Sequence, residues 1–137
     1  MSLKIFIDTN VFLDSYLKRD DGISSSIFNF LEENEVKVYL NDISIINIAY
    51  IIKKVFLHSE IKEKINLITN EYNIVCANEK IISMANNSEF KDFEDGVQYF
   101  CAKEIDADLI ISKNKKDFKF SNIDVLTPIE FGLLYLN

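Results

Sequence analysis

Glycine and proline are scarce in this sequence, which has three glycines and one proline among 137 residues. This scarcity, with 48% hydrophobic and 27% charged residues, excludes a fibrous or disordered chain and indicates a compact globular protein. A chain of this length fits one domain, residues 1–137, which can bury a sizeable core without disulfide or metal staples.

Cysteine and histidine are also rare. Cys76 and Cys101 lie inside apolar segments and lack the Cys-x-x-Cys or Cys/His spacing of metal and redox sites, so both are expected to be buried, reduced thiols. The single histidine, His58, has no partner motif and is given no role.

No apolar run approaches the roughly 20 residues that span a bilayer. The N-terminal Met-Ser-Leu-Lys leads into a short apolar stretch that Asp8 soon interrupts, which is unlike a signal peptide. We therefore expect a cytoplasmic protein that does not bind membranes.

The formal charge of −7 argues against broad electrostatic binding of nucleic acid, but it is compatible with acids concentrated in a cation site. One local group of basic residues stands out. It is either a group that contacts phosphates or an ordinary solvated loop, and it comprises Lys113, Lys115, Lys116 and Lys119.

Short apolar runs alternate with longer stretches of helical period, which predicts an α/β/α sandwich around a parallel sheet of roughly five strands. The predicted strands are residues 4–7, 36–40, 73–77, 109–112 and 124–126. Helices are predicted after residues 8–10, over residues 24–33, 43–57, 60–72 and 92–104, and from the capping box Thr127-Pro128-Ile129-Glu130. The long helix has an apolar stripe of Ile45, Ile48, Ile52 and Val55, and residues 86–91 are predicted to form a flexible loop.

Ligands of open parallel sheets bind beyond the carboxyl ends of the strands, and acidic residues occur there. Asp8 ends the first strand, beside Thr9 and Asn10, and its carboxylate would suit a hard cation such as Mg²⁺ or Mn²⁺. The alternative is that one of these three residues only caps the following helix.

Two further segments add oxygen ligands at the same edge. Asp92 and Asp95 begin a predicted helix three residues apart and share a face, although acids there would also answer the helix dipole. Ser112 ends the fourth strand, and Asn114 and Asp117 follow it. Close carboxylates repel unless a cation lies among them, so the three segments together predict a metal site.

The sequence resembles the PIN domain family in three segments that occur in the family's order and spacing. They are Ile-Asp-Thr-Asn-Val at positions 7–11, Asp-Phe-Glu-Asp at 92–95 and Ala-Asp-Leu-Ile-Ile-Ser-Lys-Asn-Lys-Lys-Asp-Phe at 107–118. The resemblance implies a PIN fold, Mg²⁺- or Mn²⁺-dependent cleavage of RNA, and kinship with VapC-like toxins. It implies an antitoxin protein or a second copy of the chain as partner, besides the RNA substrate.

Carried over by position, Asp8 and Asp95 match the first and third family acids, and Asp117 is expected to complete the catalytic and metal-binding set. Lys113, Lys115 and Lys116 would meet the nucleic acid. Two positions depart from the family, because Asn47 and Asn114 stand where acids are usual. Each amide keeps an oxygen ligand but removes a negative charge, which should weaken cation binding unless Asp92 or Asp117 compensates.

Three other kinds of protein share parts of this pattern. A haloacid-dehalogenase phosphatase needs a second acid where Asn10 stands, and a response-regulator receiver needs a phosphoacceptor Asp after the third strand, where the chain has Cys76-Ala77-Asn78. The stronger alternative is a PIN fold with weakened catalysis that serves as an RNA- or protein-binding module, which Asn47 and Asn114 favour.

Overall fold

A computed structural model describes residues 3–136, and its helices and strands alternate along almost the whole chain. The elements are β1 Lys4–Ile7, α1 Thr9–Tyr16, α2 Ile23–Glu33, β2 Lys37–Asn41, α3 Asp42–Ile52, α4 His58–Glu71, β3 Asn73–Val75, α5 Glu79–Asn86, α6 Phe93–Glu104, β4 Leu109–Ile111, β5 Asp124–Leu126 and α7 Pro128–Tyr135. Two 3-10 turns, Asp20–Gly22 and Lys115–Phe118, precede α2 and β5.

The five strands form one parallel sheet, as the sequence predicts, and their order in the sheet is β3-β2-β1-β4-β5. In β1, Ile5 lies opposite Val38 of β2 and Leu109 of β4. The chain runs outward from β1 through β2 to β3, then returns to the other side of β1 to build β4 and β5. The strand order therefore reverses between β1 and β4, and a crevice is expected beyond their carboxyl ends.

Alternate residues of the strands face two separate cores, which confirms the three-layer prediction. Ile5 and Ile7 belong to a core closed by α1, α2, α3, α4 and α7. Phe6 and Ile110 belong to the other, which α5 and α6 cover. Central strands covered on both faces are uniformly apolar, and that explains the continuous hydrophobic runs in β1 and β4.

The long helix predicted over residues 43–57 is shorter than expected. α3 ends at Ile52, and the amides of Val55 and Phe56 both donate to the Ile52 carbonyl as the chain turns. The turn packs Phe56 on the first core and leaves Val55 68% exposed, so Val55 does not continue the apolar stripe.

A second difference is α5, which the sequence analysis did not predict. The Asn78 side chain caps this helix by accepting a hydrogen bond from the Ile81 amide at 3.0 Å. Asn86 ends α5, and the following residues form the predicted loop, in which Phe90 is buried against Tyr99 with ring centroids 5.0 Å apart.

The two cysteines differ in burial, so the prediction that both are buried is wrong for Cys76. Cys76 follows the short edge strand β3 and is exposed, because the chain has already left the core there. Cys101 is fully buried as a free thiol, and burial raises its pKa to about 11. Within residues 3–136, every helix is too short or too polar to cross a bilayer.

Candidate active site

Asp8 and Ser112 directly follow β1 and β4, the two strands beyond whose carboxyl ends a crevice is expected. The Asp8 amide donates to the Ile111 carbonyl at 3.0 Å, and the Ser112 amide donates to the Leu126 carbonyl at 3.0 Å. The sheet therefore fixes the backbone of both residues. The Ser112 hydroxyl donates to Asp8 Oδ2 at 2.7 Å, which orients the carboxylate.

Asp8 is buried, with 2% of its surface exposed, and its pKa rises to about 6. Loss of hydration is the main cause, and the charges of Glu94 and Asp92 raise the pKa further. The bond from Ser112 opposes this rise only partly. Asp8 occupies the N-cap position of α1 but makes no side-chain capping bond there, so the capping role does not account for the buried carboxylate.

Asp95 lies in the first turn of α6 and is also buried. Its pKa rises to about 7, first because of burial and next because of the charge of Asp8. Asp92, Asp117 and Glu94 add smaller repulsions. Acids from all three predicted segments therefore lie close enough for their charges to act on Asp95.

Asp92 has a structural role of its own within this group. Its side chain accepts a hydrogen bond from the Asp95 amide at 3.0 Å and so caps α6. The cap fixes the first turn of the helix, which holds Asp95 in place.

Asn47 is half-buried on α3, and its amide donates to Glu94 Oε2 at 3.0 Å. The prediction did not include Glu94, although it stands inside the Asp-Phe-Glu-Asp segment that carried the resemblance. Glu94 therefore brings a carboxylate next to Asn47, where the family resemblance leads us to expect an acid. Its hydrogen bond to Asn47 depends on folding, and no sequence pattern would have identified it.

The segment after β4 is held by hydrogen bonds. The backbone N–H of Asn114 donates to Ser112 Oγ at 3.1 Å, and the backbone N–H of Asp117 donates to the backbone carbonyl of Asn114 at 2.8 Å. Asn114 is half-buried and Asp117 is exposed, with its charge acting on Asp95. Asn10 is half-buried in the first turn of α1.

Two of the predicted RNA-contacting lysines are paired with acids. Lys113 Nζ lies 3.1 Å from Asp14 Oδ2, and Lys115 Nζ lies 3.0 Å from Glu130 Oε2. A small cavity of about 290 Å³ is bordered by Asp92 and Asp117, while Asp8 and Asp95 do not line it. Its lining combines basic, acidic and aromatic side chains, namely Lys91, Asp92, Lys116, Asp117, Lys119 and Phe120.

Thr9, Ser44 and Gln98 form a buried hydrogen-bonded group next to the acids. Two of these three residues were not predicted from the sequence. Gln98 Nε2 donates to Thr9 Oγ1 at 3.1 Å and to Ser44 Oγ at 2.9 Å. Thr9 was predicted to support the site, but neither Ser44 nor Gln98 carries a sequence signal.

The oxygen donors of this site fit a hard divalent cation, because the buried carboxylates of Asp8 and Asp95 repel each other when both are ionised. Between residues 3 and 136, no three His, Cys, Asp or Glu side chains converge closely enough to enclose an ion. The arrangement suits binding through one or two carboxylates with water completing the shell, as Mg²⁺ prefers.

A doubly wound parallel α/β domain with buried carboxylates near its switch point identifies a class of proteins with acidic sites. It does not by itself identify the family. The particular family follows from comparison: the PIN domain model matches residues 4–116, and the chain belongs to the PIN domain family. The predicted resemblance is thus confirmed.

Known proteins agree with this assignment. Ribonuclease VapC1 of Aquifex aeolicus (strain VF5) is 32% identical over 136 residues, covering 95% of this chain and 94% of that protein. A toxin–antitoxin complex from Klebsiella pneumoniae matches with a TM-score of 0.69 at 20% identity, over 90% of this chain and 97% of the other. VapBC2 of Rickettsia felis, bound to a DNA fragment from its promoter, matches with a TM-score of 0.67 at 14% identity, over 91% and 98%.

Proposed function

We propose that this protein is a Mg²⁺- or Mn²⁺-dependent endoribonuclease that hydrolyses phosphodiester bonds in RNA. The observation that carries the proposal is a pair of buried carboxylates that repel each other, Asp8 directly beyond β1 at the switch point of the sheet and Asp95 on α6. Raised carboxylate pKa values in a crevice are a mark of functional sites. Membership of the PIN family and the likeness to a ribonuclease support the same reaction.

Each residue has a proposed part in the reaction. Asp8 and Asp95 would hold the cation, and Asp117 would complete its shell directly or through water. A cation bound there would activate a water molecule and offset charge in the transition state. Ser112 keeps the Asp8 carboxylate oriented. Asn114 would contribute an amide oxygen.

Glu94 is proposed to supply the negative charge that Asn47 lacks. The Asn47 amide holds Glu94 Oε2 at 3.0 Å, and the Glu94 charge acts on both Asp8 and Asp95. The site would thereby regain its charge from α6 rather than α3. This compensation favours an active enzyme over a weakened binding module.

RNA would approach the buried acids by way of the small cavity that Asp92 and Asp117 border. Lys116 and Lys119 line it together with Phe120, which can stack on a base while the lysines contact phosphates. The acidic character of the whole chain, −7, makes such a local contact more important. Lys113 and Lys115 are proposed as second contacts, since both side chains remain about half exposed in their ion pairs.

Cleavage of single-stranded RNA by the purified protein tests the proposal. Activity should appear with Mn²⁺ or Mg²⁺, vanish with a chelator, and be lost in Asp8→Asn and Asp95→Asn. Asp124→Asn is the matched control, because it makes the same charge change at an exposed position where β5 begins, at the opposite edge of the sheet. Absence of cleavage with either metal, or full activity in Asp8→Asn, would leave the binding module as the better description.

We also propose that the protein is the toxin of a toxin–antitoxin pair, since solved structures of similar fold include such complexes. α3 and the turn after it offer an apolar surface to an antitoxin or a second copy. Its exposed side chains are Ile46, Tyr50, Val55 and Leu57. Light scattering of the chain alone, and with the product of a neighbouring small gene, tests both partners. A monomer that does not bind that product contradicts the proposal.

A further inference from the structure

The group formed by Thr9, Ser44 and Gln98 is the most completely buried polar cluster next to the acids. Gln98 has 1% of its surface exposed, Thr9 5% and Ser44 none. The hydroxyls of Thr9 and Ser44 lie 2.6 Å apart, and Gln98 Nε2 donates to both. These three side chains come from α1, α3 and α6, so the cluster ties together three helices that are distant in the sequence.

Each member is next to a residue of the candidate site. Thr9 follows Asp8 directly, and Gln98 lies three residues after Asp95 on α6. Ser44 lies three residues before Asn47 on α3. Residues three apart on a helix share a face and are neighbours along it. The hydrogen bonds of Gln98 therefore set where α6 places Asp95 relative to Asp8.

The cluster is poorly suited to a purely stabilising role. Gln98 Oε1 is buried and has no hydrogen-bond partner among the residues described, which costs stability because the atom has lost water without replacement. An apolar side chain of similar volume would avoid this cost. A residue that costs stability yet joins three helices of a site indicates a functional requirement for their geometry.

We propose that Gln98 is a positioning residue, which holds α6 against α1 and α3 so that Asp8 and Asp95 keep the spacing that binds a divalent cation. The inference rests on the proposed nuclease function and deepens it. Gln98 itself touches neither cation nor RNA, and it acts through the hydroxyls of Thr9 and Ser44. Removing a group that hydrogen-bonds directly to a metal ligand typically lowers metal affinity by about 10- to 100-fold, and Gln98, which acts one contact further away, should have an effect near the lower end of that range.

The test compares Mn²⁺ affinity, measured by calorimetry, with the thermal midpoint of the metal-free protein. Gln98→Met keeps the length and packing of the side chain but removes both donated hydrogen bonds. We expect Mn²⁺ affinity to fall by roughly tenfold or more, while the metal-free midpoint stays the same or rises. RNA cleavage should fall in parallel at limiting Mn²⁺ and partly recover at high Mn²⁺.

A second pair of variants keeps the inference testable if Gln98→Met fails to fold. Thr9→Val is isosteric but has no hydroxyl, and it should lose Mn²⁺ affinity as Gln98→Met does. Thr9→Ser keeps the hydroxyl and should restore it. The double variant Thr9→Val/Gln98→Met should lose little more than either single variant, because both changes break the same contact.

Ser24→Ala is the control for loss of a buried hydroxyl. Ser24 is as buried as Ser44, but its hydroxyl donates to the carboxylate of Asp20, in the turn that precedes α2. This variant should lower the thermal midpoint and leave Mn²⁺ affinity unchanged. If the wild type binds Mn²⁺ and both Gln98→Met and Thr9→Val bind it equally well, the positioning role is overturned while the nuclease proposal stands. If the wild type neither binds Mn²⁺ nor cleaves RNA, both proposals fail.

Discussion

The buried charge of Asp8 should destabilise the metal-free protein, and Asp8→Asn should relieve this. The carboxyl group of Asp8 has a pKa of about 6 in the folded protein, compared with the ordinary value of 3.8 that it would have in the unfolded chain. Because the folded pKa is the higher one, folding favours the protonated form, and the penalty grows as pH rises from about 4 to about 7. Above about pH 7 the penalty in the free energy of unfolding levels off at about 3 kcal/mol, because the folded and unfolded pKa values differ by roughly two and each unit corresponds to about 1.4 kcal/mol.

Asparagine imitates the protonated state, since it is neutral and its side-chain oxygen can still accept the hydrogen bond from Ser112. Near pH 8, Asp8→Asn should therefore raise the free energy of unfolding by about 2 to 3 kcal/mol, and the thermal midpoint by several degrees. Near pH 4.5 the gain should shrink to about 1 kcal/mol, because the wild-type carboxyl is then mostly protonated in the folded state.

The assay is thermal and urea unfolding with a chelator across this pH range, with Asp124→Asn as the exposed control. Saturating Mn²⁺ should reverse the order, because a ligand that binds only the folded wild type raises its stability. A gain that does not vary with pH, or an Asp8→Asn variant less stable than the wild type near pH 8, would refute the reasoning about burial and charge.

Three further predictions concern neighbouring contacts. In calorimetry, Glu94→Gln should lower Mn²⁺ affinity. Asn47→Glu alone should not raise the affinity, because two carboxylates would then face each other. The exchanged pair Asn47→Glu/Glu94→Gln should recover wild-type affinity. Lys113→Met should cost about 2 kcal/mol in urea unfolding, since it removes the nearer cation from buried Asp14; an unchanged midpoint would contradict this. Gly96→Ala should lower the free energy of unfolding by about 1 kcal/mol, because the new Cβ would lie 3.3 Å from Cβ of Ala85 and 3.4 Å from Cβ of Phe90. This crowding should outweigh the gain in helix propensity, and a stabilised variant would show that these neighbours yield.

Sequence patterns predicted the parallel sheet and most of its elements because apolar runs and helical period report burial directly. They failed where tertiary contacts decide. The end of α3 at Ile52 depends on Phe56 turning into the core. The short helix α5 is amphipathic, with Ile81 and Ala85 buried, but it spans only eight residues, and a side-chain cap from Asn78 defines its start.

The candidate site shows the same division. Asp8 and Asp95 are predictable because each stands directly beyond a strand or at a helix start, where position along the chain implies position in the fold. The contributions of Glu94 and Gln98 depend on hydrogen bonds to residues 47 to 89 positions away. A single sequence contains no local pattern that reports such contacts.

The pairing of β1 with β4 also determines when the candidate site can assemble during synthesis of the chain. Asp8 and its partner Ser112 are 104 residues apart, and the strand that carries Ser112 docks beside β1 rather than beside its predecessor β3. A ribosome adds roughly 5–20 residues each second, so the first acid is made several seconds before the strand that completes its surroundings. The hydrogen bond that orients the Asp8 carboxylate therefore forms only after β4 has left the ribosome and paired with β1.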